Sequence, residues 1–394
     1  MDLNALLERE VEEIIVQKDL ENKLKSGKKL RIKLGADPTR PDLHLGHAVV
    51  LRVLKHFQEE GHTVIFVVGD YTAKVGDPSQ RSKMRPLLSD QEIEKNAQTY
   101  FEQVGKILDI KQVEIRRNSE WYEKLSFAEL IKITSNFTVA RILERDDFFN
   151  RYKKGIVIGL HEFLYPVMQA YDSLILKADI EIGGTDQKFN MLAGRELQEK
   201  MGEIPQDIIT CKILEGTDGE QKMSKSLDNY IGITEEPLEM YGKIMSIPDK
   251  LIIKYYTLCT DYPLKKIKEI EKGISKDKIN PRDAKADLAY EIVKMYHGED
   301  EAQKAADEFN RIFKMKQIPK TIPKVSLKLP LYSLPDLLVS TNLAGSKSEA
   351  KRLIEQRGVK VDGEVITNKE EKITIKDGMV IQVGKRKFVK LEKE

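Results

Sequence analysis

The sequence predicts an α/β protein: a doubly wound parallel sheet, then an α-helical segment, then a small α+β module. Three observations predict it. Short β-branched, apolar runs alternate with helical patterns over residues 30–214, as βα units do. Over 251–315 only helical periodicity remains. From 331 short alternating strands return, punctuated by Asp362-Gly363 and Asp377-Gly378. A length of 394 residues fits two or three domains. Charged residues make up 33% but nearly cancel at +2, so any basic surface must be local. The two cysteines, Cys211 and Cys259, form neither a disulfide framework nor a zinc spacing, and no metal site is expected. No run reaches the roughly 18 apolar residues of a membrane span. The acidic, amphipathic start is unlike a signal peptide. A cytoplasmic chain without a membrane partner is expected.

Leu3, Leu6, Leu7, Val11, Ile14 and Ile15 recur at helical spacing, so a helix is expected there, with Gly27 after it. Residues 30–34 read as a strand, and Pro38 and Pro41 forbid regular structure beyond it. The next helix carries apolar residues through Phe57 and stops at Gly61. TVIFVV, 63–68, is a buried strand by its apolar, β-branched run. Ser89 with Glu92 makes a capping box that opens a helix toward Leu108. Strands are expected at 113–116, 179–182 and 208–214, with helices at 161–176 and from Gln187. In such sheets ligands bind beyond the carboxyl ends of the strands. The loops 35–47, 69–85 and 183–187 are placed to meet there. Further on, Asn280-Pro281 supplies an N-cap and a first-turn proline. KQIPKTIPKVSLKLP, 316–330, reads as an extended basic linker.

Two motifs carry chemistry. KMSKS, 222–226, lies in a polar loop opened by Gly216 and Gly219. Ammonium groups on such a loop suit following the negative charge that grows on a departing polyphosphate; the plain alternative is a solvated basic loop. His44-Leu45-Gly46-His47 stands at a helix opening, where backbone N–H groups and the dipole favour an anion. Gly46, without a side chain, lets a flat ring approach the backbone. A surface histidine pair is the plain alternative, and a metal site lacks further ligands nearby.

HLGH followed much later by KMSKS, on an alternating α/β chain, resembles the class I aminoacyl-tRNA synthetases and their Rossmann-like catalytic domain. Gly76-Asp77-Pro78-Ser79, the YPVMQAYD run at 165–172 and GGTDQ at 183–187 resemble the tyrosyl-tRNA synthetase family. The last sixty or so residues, with GSKSEAKRLIEQRGVKVDGEVI, resemble the S-four-type RNA-binding domain. The resemblance implies a catalytic domain over 1–231, an α-helical anticodon-binding domain over 232–315, a linker over 316–330 and the RNA-binding domain over 331–394. It implies activation of L-tyrosine by ATP, with Mg2+, then transfer to tRNA(Tyr), by a homodimer. By the same resemblance His44, His47, Gly46 and Thr39 face ATP's phosphates and ribose, and Gly35 and Asp37 line the nucleotide pocket. Arg81, Arg85, Lys222 and Lys225 follow the leaving pyrophosphate, and Gly184 and Asp186 contact the adenylate ribose. Asp77, Tyr165 and Gln169 hold the amino group of tyrosine, Gln187 lies near its carboxylate, and Asp172 accepts the phenolic proton. Tyr165, Gln169 and Asp172 fall at i, i+4 and i+7, one face of one helix.

One departure stands out. Many tyrosyl enzymes carry a tyrosine where this chain has Lys33, and a glutamine where it has Glu181. Lys33 either pairs with Asp172 or points away from it. In the tail Lys347, Lys351 and Arg352, at helical spacing, are expected to line a phosphate-facing edge; the alternative is a solvated helix face. A relative using tryptophan is disfavoured by YxxxQxxD and the tail. A non-catalytic RNA-binding protein is disfavoured by the intact HLGH and KMSKS.

Overall fold

TVIFVV forms strand β3, Thr63–Val68, with five of six residues buried, as a strand covered on both faces must be. The computed structural model describes residues 3–38, 42–78, 89–313, 323–327, 331–384 and 387–393. The chain divides into two compact units, Met1–Glu299 and Asp300–Glu394.

The first unit holds β1 (Val11–Ile15), β2 (Arg31–Ala36), β3, β4 (Val113–Arg117), β5 (Ile180–Gly184) and β6 (Asp207–Cys211). They form one sheet in the order β1-β6-β5-β2-β3-β4. Every neighbouring pair is parallel except β1 with β6. From β2 the chain moves outward through β3 and β4, then returns to the other side as β5 and β6. The reversal falls between β2 and β5. There the pairing covers only Ile32–Ile180 and Lys33–Glu181, whereas β2 and β3 pair over all six residues. The strands part beyond Lys33, and a crevice opens at their carboxyl ends, the usual ligand position in such sheets.

The helical spacing of residues 3–15 misleads. The helix ends at Glu8, and Val11–Ile15 runs as β1, antiparallel to β6. The reason is tertiary. The outer edge of β6 presents unpaired backbone groups that need partners, and the β-branched VEEII segment suits a strand once one is available. Smaller differences are of extent. The helix opened by Ser89 is Asp90–Val104, and the last strand stops at Cys211. The expected 161–176 helix opens as a 3-10 turn, Leu160–Phe163, before Leu164–Ile175.

Helices Pro237–Met245, Ile252–Cys259, Leu264–Ser275 and Pro281–His297 complete the first unit. Asn280 caps the last, its Oδ1 accepting from the Arg282 N–H at 2.9 Å. Arg52, on the Leu45–Glu59 helix, ties these helices to the sheet. It donates to the Thr260 carbonyl at 2.9 Å, to Asp261 at 2.7 Å and to the fully buried Glu10 at 3.4 Å. The helix that opens with HLGH is thereby held at its middle by the helical segment.

The second unit contains β7 (Lys324–Leu327), β8 (Leu331–Ser333), β9 (Val359–Val361), β10 (Glu364–Val365), β11 (Lys372–Thr374), β12 (Val380–Val383) and β13 (Lys387–Lys393). Five strands form a sheet in the order β10-β9-β12-β13-β7, and β8 pairs with β11. Leu334, Leu337, Ile354, Val359 and Ile381 pack its core with helices Leu334–Ser340 and Lys347–Glu355. Asp362 and Gly363, at φ of 49° and 90°, make the two-residue turn between β9 and β10. Residues 324–327, inside the stretch expected to be a linker, are the sheet strand β7, parallel to β13. Among the described residues no helix is long and apolar enough to cross a membrane.

Candidate active site

The crevice between β2 and β5 leads into a cavity of about 400 Å³. Gly35 and Asp37 reach it from the end of β2, Asp77 from the segment after β3, and Gly184, Asp186 and Gln187 from the end of β5. His44, Gly46 and His47 line it from the helix opening, Tyr165, Gln169 and Asp172 from one helix face, and Lys222 from its loop. Thr39, Arg81 and Arg85 lie outside the described residues.

The two histidine rings lie against each other, centroids 3.8 Å apart and tilted by 35°. The His44 backbone N–H donates to His47 Nδ1 at 3.2 Å. This assigns the neutral tautomer of His47: Nε2 carries the hydrogen and remains a donor. Burial lowers the pKa of His44, helped by His47, Lys225 and Lys222. His47 is lowered to about 4, by desolvation first and then by Lys225 and Lys222. Its surface is exposed toward the cavity, which argues for a smaller shift of the same sign. Both rings are therefore neutral hydrogen-bonding groups at physiological pH. Among the described residues the buried His44 Nδ1 has no partner. A Cβ on Gly46 would stand 3.1 Å from the His44 ring, so a larger residue would press on that ring.

The lysine loop is tied to the histidines by backbone bonds. The Leu45 N–H donates to the Ile231 carbonyl at 3.0 Å, and the Ile233 N–H to the Leu43 carbonyl at 3.1 Å. At the other end the Met223 N–H donates to the Leu214 carbonyl at 2.8 Å. Inside the loop Asn229 is buried and central. Its Oδ1 accepts from the Ser224 N–H at 2.7 Å, and its Nδ2 donates to Asp218 at 2.7 Å and to the Lys222 carbonyl at 3.1 Å. A Cβ on Gly216 would lie 2.2 Å from Asn229 Cγ, which fixes glycine there. Both ammonium groups are held by carboxylates: Lys222 by Asp186 at 3.1 Å, and Lys225 by Asp42. The Lys225 ammonium also lies 5.3 Å from the Tyr230 ring centre.

Three carboxylates shape the rest of the cavity. Asp37 accepts from the Tyr165 hydroxyl at 3.0 Å and the Thr72 hydroxyl at 2.7 Å. Burial, then Asp37 and Asp77, push the Tyr165 pKa well up, so its hydroxyl keeps its proton. Asp77 accepts from Arg145 at 2.9 Å and from Gln187 at 2.7 Å. Asp172 is buried. Its Oδ1 accepts from Trp121 Nε1 at 2.9 Å and the Tyr122 hydroxyl at 2.7 Å, and its Oδ2 faces Asn118 Nδ2 at 3.4 Å. Burial raises its pKa to about 6, opposed by Lys33 and then by these donors. Lys33 does not bond to Asp172. It pairs with Glu181 at 2.9 Å, both side chains fully buried.

In the second unit Lys347, Lys351 and Arg352 are exposed along the Lys347–Glu355 helix, and Lys347 pairs with Asp336 at 2.6 Å.

The description of the matching family model is tRNA synthetases class I (W and Y), and it covers residues 25–314. This chain belongs to that family. A second model, the S4 domain, matches residues 333–379 of the synthetase. The tyrosine–tRNA ligase of Thermotoga maritima is 52% identical over 388 residues, 98% of this chain and 96% of that protein. The tyrosine–tRNA ligase of Moorella thermoacetica is 50% identical over 390 residues, 98% of this chain and 94% of that protein. Among solved structures, a C-terminally truncated Aspergillus nidulans mitochondrial tyrosyl-tRNA synthetase matches at a TM-score of 0.65 and 24% identity. It covers 78% of this synthetase and 93% of that chain, a likeness of fold.

Sequence reading missed the groups that orient the synthetase's cavity: Thr72, Asn118, Trp121, Tyr122, Arg145, Asn190 and Asn229. A signal for three of them existed. Asn118, Trp121 and Tyr122 follow β4 directly, at the same sheet edge as the other strand-to-helix loops. Asn229→Ala removes three hydrogen bonds that hold the lysine loop together. Backbone amides of 216–230 are expected to exchange hydrogen about tenfold faster, with those of β3 unchanged. Equal exchange in variant and wild type would show that Asn229 does not organise the loop.

Proposed function

We propose that this synthetase is a tyrosine–tRNA ligase. It activates L-tyrosine with ATP to tyrosyl-adenylate and pyrophosphate, then passes the tyrosyl group to the 3' end of tRNA(Tyr). The observation that carries the reading is the buried Asp172 carboxylate, in the same cavity that HLGH and the lysine loop line. A buried acceptor rewards a phenol and is left unpaired by phenylalanine. Near full-length relatives with that printed activity support it.

In the first step an oxygen of the tyrosine carboxylate bonds to the α-phosphorus of ATP. The bond from that phosphorus to the bridging oxygen breaks, and pyrophosphate leaves with the electron pair. No side chain becomes covalently bound, so rate comes from positioning and from charge stabilisation. Asp77, Tyr165 and Gln169 take the ammonium of tyrosine, and Gln187 stands by its carboxylate. His44 and His47 take phosphate and ribose, with Gly35, Asp37, Gly46 and Thr39 around the nucleotide. Gly184 and Asp186 take the adenylate ribose. Lys222 and Lys225 leave Asp186 and Asp42 for the pyrophosphate, joined by Arg81 and Arg85. Mg2+ enters this reading with ATP, carried on its phosphates.

Residues 1–231 form the catalytic domain of this reading, and the helices of 232–315 meet the anticodon stem. Lys347, Lys351 and Arg352 of the S4 domain meet tRNA phosphates. The setting is the cytoplasm, where tRNA is charged. The working form is a homodimer: Phe127, Val139, Tyr152, Val157 and Leu160 expose apolar surface over one stretch of chain, as an interface would require. Sedimentation velocity at micromolar concentration is expected to give about twice the chain mass, and a monomer there removes the dimer.

Amino-acid-dependent ATP–pyrophosphate exchange with tyrosine, tryptophan and phenylalanine tests the function. Exchange with tyrosine is expected; exchange with tryptophan alone overturns the reading. In the same assay Lys225→Ala is expected to cost about 3 kcal/mol, on the order of a hundredfold in rate, with little change in tyrosine affinity. An unchanged single-turnover rate removes the catalytic role of Lys225. Deletion from Pro323 onward removes β7 together with the S4 domain. Adenylate formation is expected to survive, while tRNA charging weakens most at high salt. Charging equal to the full chain at every salt would overturn the RNA-binding role.

A further inference from the structure

At the crossing of β2 and β5 lies a closed network of buried polar groups that touches the cavity without ending in it. The Lys33 ammonium has three N–H donors. They go to Glu181 Oε1 at 2.9 Å, Ser173 Oγ at 2.7 Å and the Gln169 carbonyl at 3.1 Å. Each Glu181 oxygen is also taken twice. Oε1 accepts from Lys33 and from Gln169 Nε2 at 3.0 Å; Oε2 accepts from Ser173 Oγ at 3.0 Å and from Gln206 Nε2 at 2.5 Å. Neither charged group has capacity left for a ligand.

The network's effect falls on two residues that do. A carboxylate only accepts, so Glu181 forces the Gln169 amide to present its NH2 inward. The Gln169 Oε1 then accepts from Asn190 Nδ2 at 3.0 Å, and the residue lines the cavity. With a glutamine at 181 the amide could settle either way. Asp172, one turn further along the same helix, has among the described residues only the 3.4 Å approach of Asn118 on Oδ2 and can take one more donor.

We propose that Lys33 and Glu181 are a positioning pair for amino-acid selection: neither touches substrate, Glu181 fixes the Gln169 amide, and Lys33, held in place by Glu181, is the positive charge that the Asp172 carboxylate faces. The inference rests on the tyrosine–tRNA ligase reading. The groups facing Asp172 are Lys33 from β2, Asn118, Trp121 and Tyr122 after β4, and the Tyr165 hydroxyl on its own helix. Lys33 is the one cation among them, so its removal must raise the Asp172 pKa further. A protonated Asp172 no longer attracts the phenol.

The test compares wild type, Lys33→Met, Glu181→Gln and the double variant. Pyrophosphate exchange with tyrosine and with phenylalanine is followed from pH 5.5 to 8.5. In Lys33→Met the tyrosine KM is expected to rise about tenfold with kcat less affected, and phenylalanine is expected to change little. Its acid-side rise in tyrosine KM should move to higher pH than in wild type. The double variant is expected to lose no more tyrosine selection than Lys33→Met alone, because the two residues act as one unit. Equal losses for both amino acids, or losses that simply add in the double variant, overturn the positioning role. If Lys33→Met does not fold, Glu181→Gln decides: an unchanged tyrosine-to-phenylalanine ratio overturns the proposal. Wild-type protein without tyrosine exchange refutes the ligase reading itself, a separate outcome.

Discussion

Two residue pairs hold the centre of the sheet together. β2 and β5 bond at Ile32–Ile180 and Lys33–Glu181 and then separate. Every group of the cavity depends on that parting. Had the two strands paired along their full length, Gly35 and Gly183 would face each other across a hydrogen-bonded ladder, with no room for a ligand. The Lys33–Glu181 pair sits at the last rung. An ion pair taken out of water stabilises little on balance, because desolvation offsets most of the attraction. Here it is fully bonded, and its value lies in what it orients.

Charge around the nucleotide side is balanced before any ligand arrives. Lys222 rests on Asp186 and Lys225 on Asp42. In the proposed reaction an incoming polyphosphate would exchange one anionic partner of the lysines for another instead of recruiting ammonium groups from water. The exchange costs little in solvation and becomes favourable as charge collects on the leaving group. The neutral histidines fit this balance. On the proposed function they would donate hydrogen bonds without adding positive charge that the ground state also feels, leaving the response to growing charge to the lysines.

Much of this was legible in the sequence because it is local. The Ser89–Glu92 capping box, the Asn280-Pro281 helix start and the Asp362-Gly363 turn each depend on neighbours within a few residues, and each formed as read. TVIFVV carried its own burial in its composition. The cavity motifs were legible by position at strand ends. What stayed hidden was held by distant partners. Val11–Ile15 is a strand only because β6 lies beside it. Lys33 finds Glu181 across most of the catalytic unit, and Asp172 finds Trp121 and Tyr122 fifty or so residues earlier. No periodicity or spacing encodes such pairs.

The backbone bonds between Leu43–Leu45 and Ile231–Ile233 have a consequence for chain length. The separation of the histidines from the lysines is set through those bonds and not along the polypeptide. Material added or lost on the outer surface between β3 and β6 leaves that separation untouched. The few residues from Lys225 to Ile231 are different, since they measure the reach of the lysine from a fixed anchor. One residue more or less there shifts the ammonium by about 3 Å, the length of a hydrogen bond. Length is thus free to vary across most of the catalytic unit and is rationed within a single short stretch.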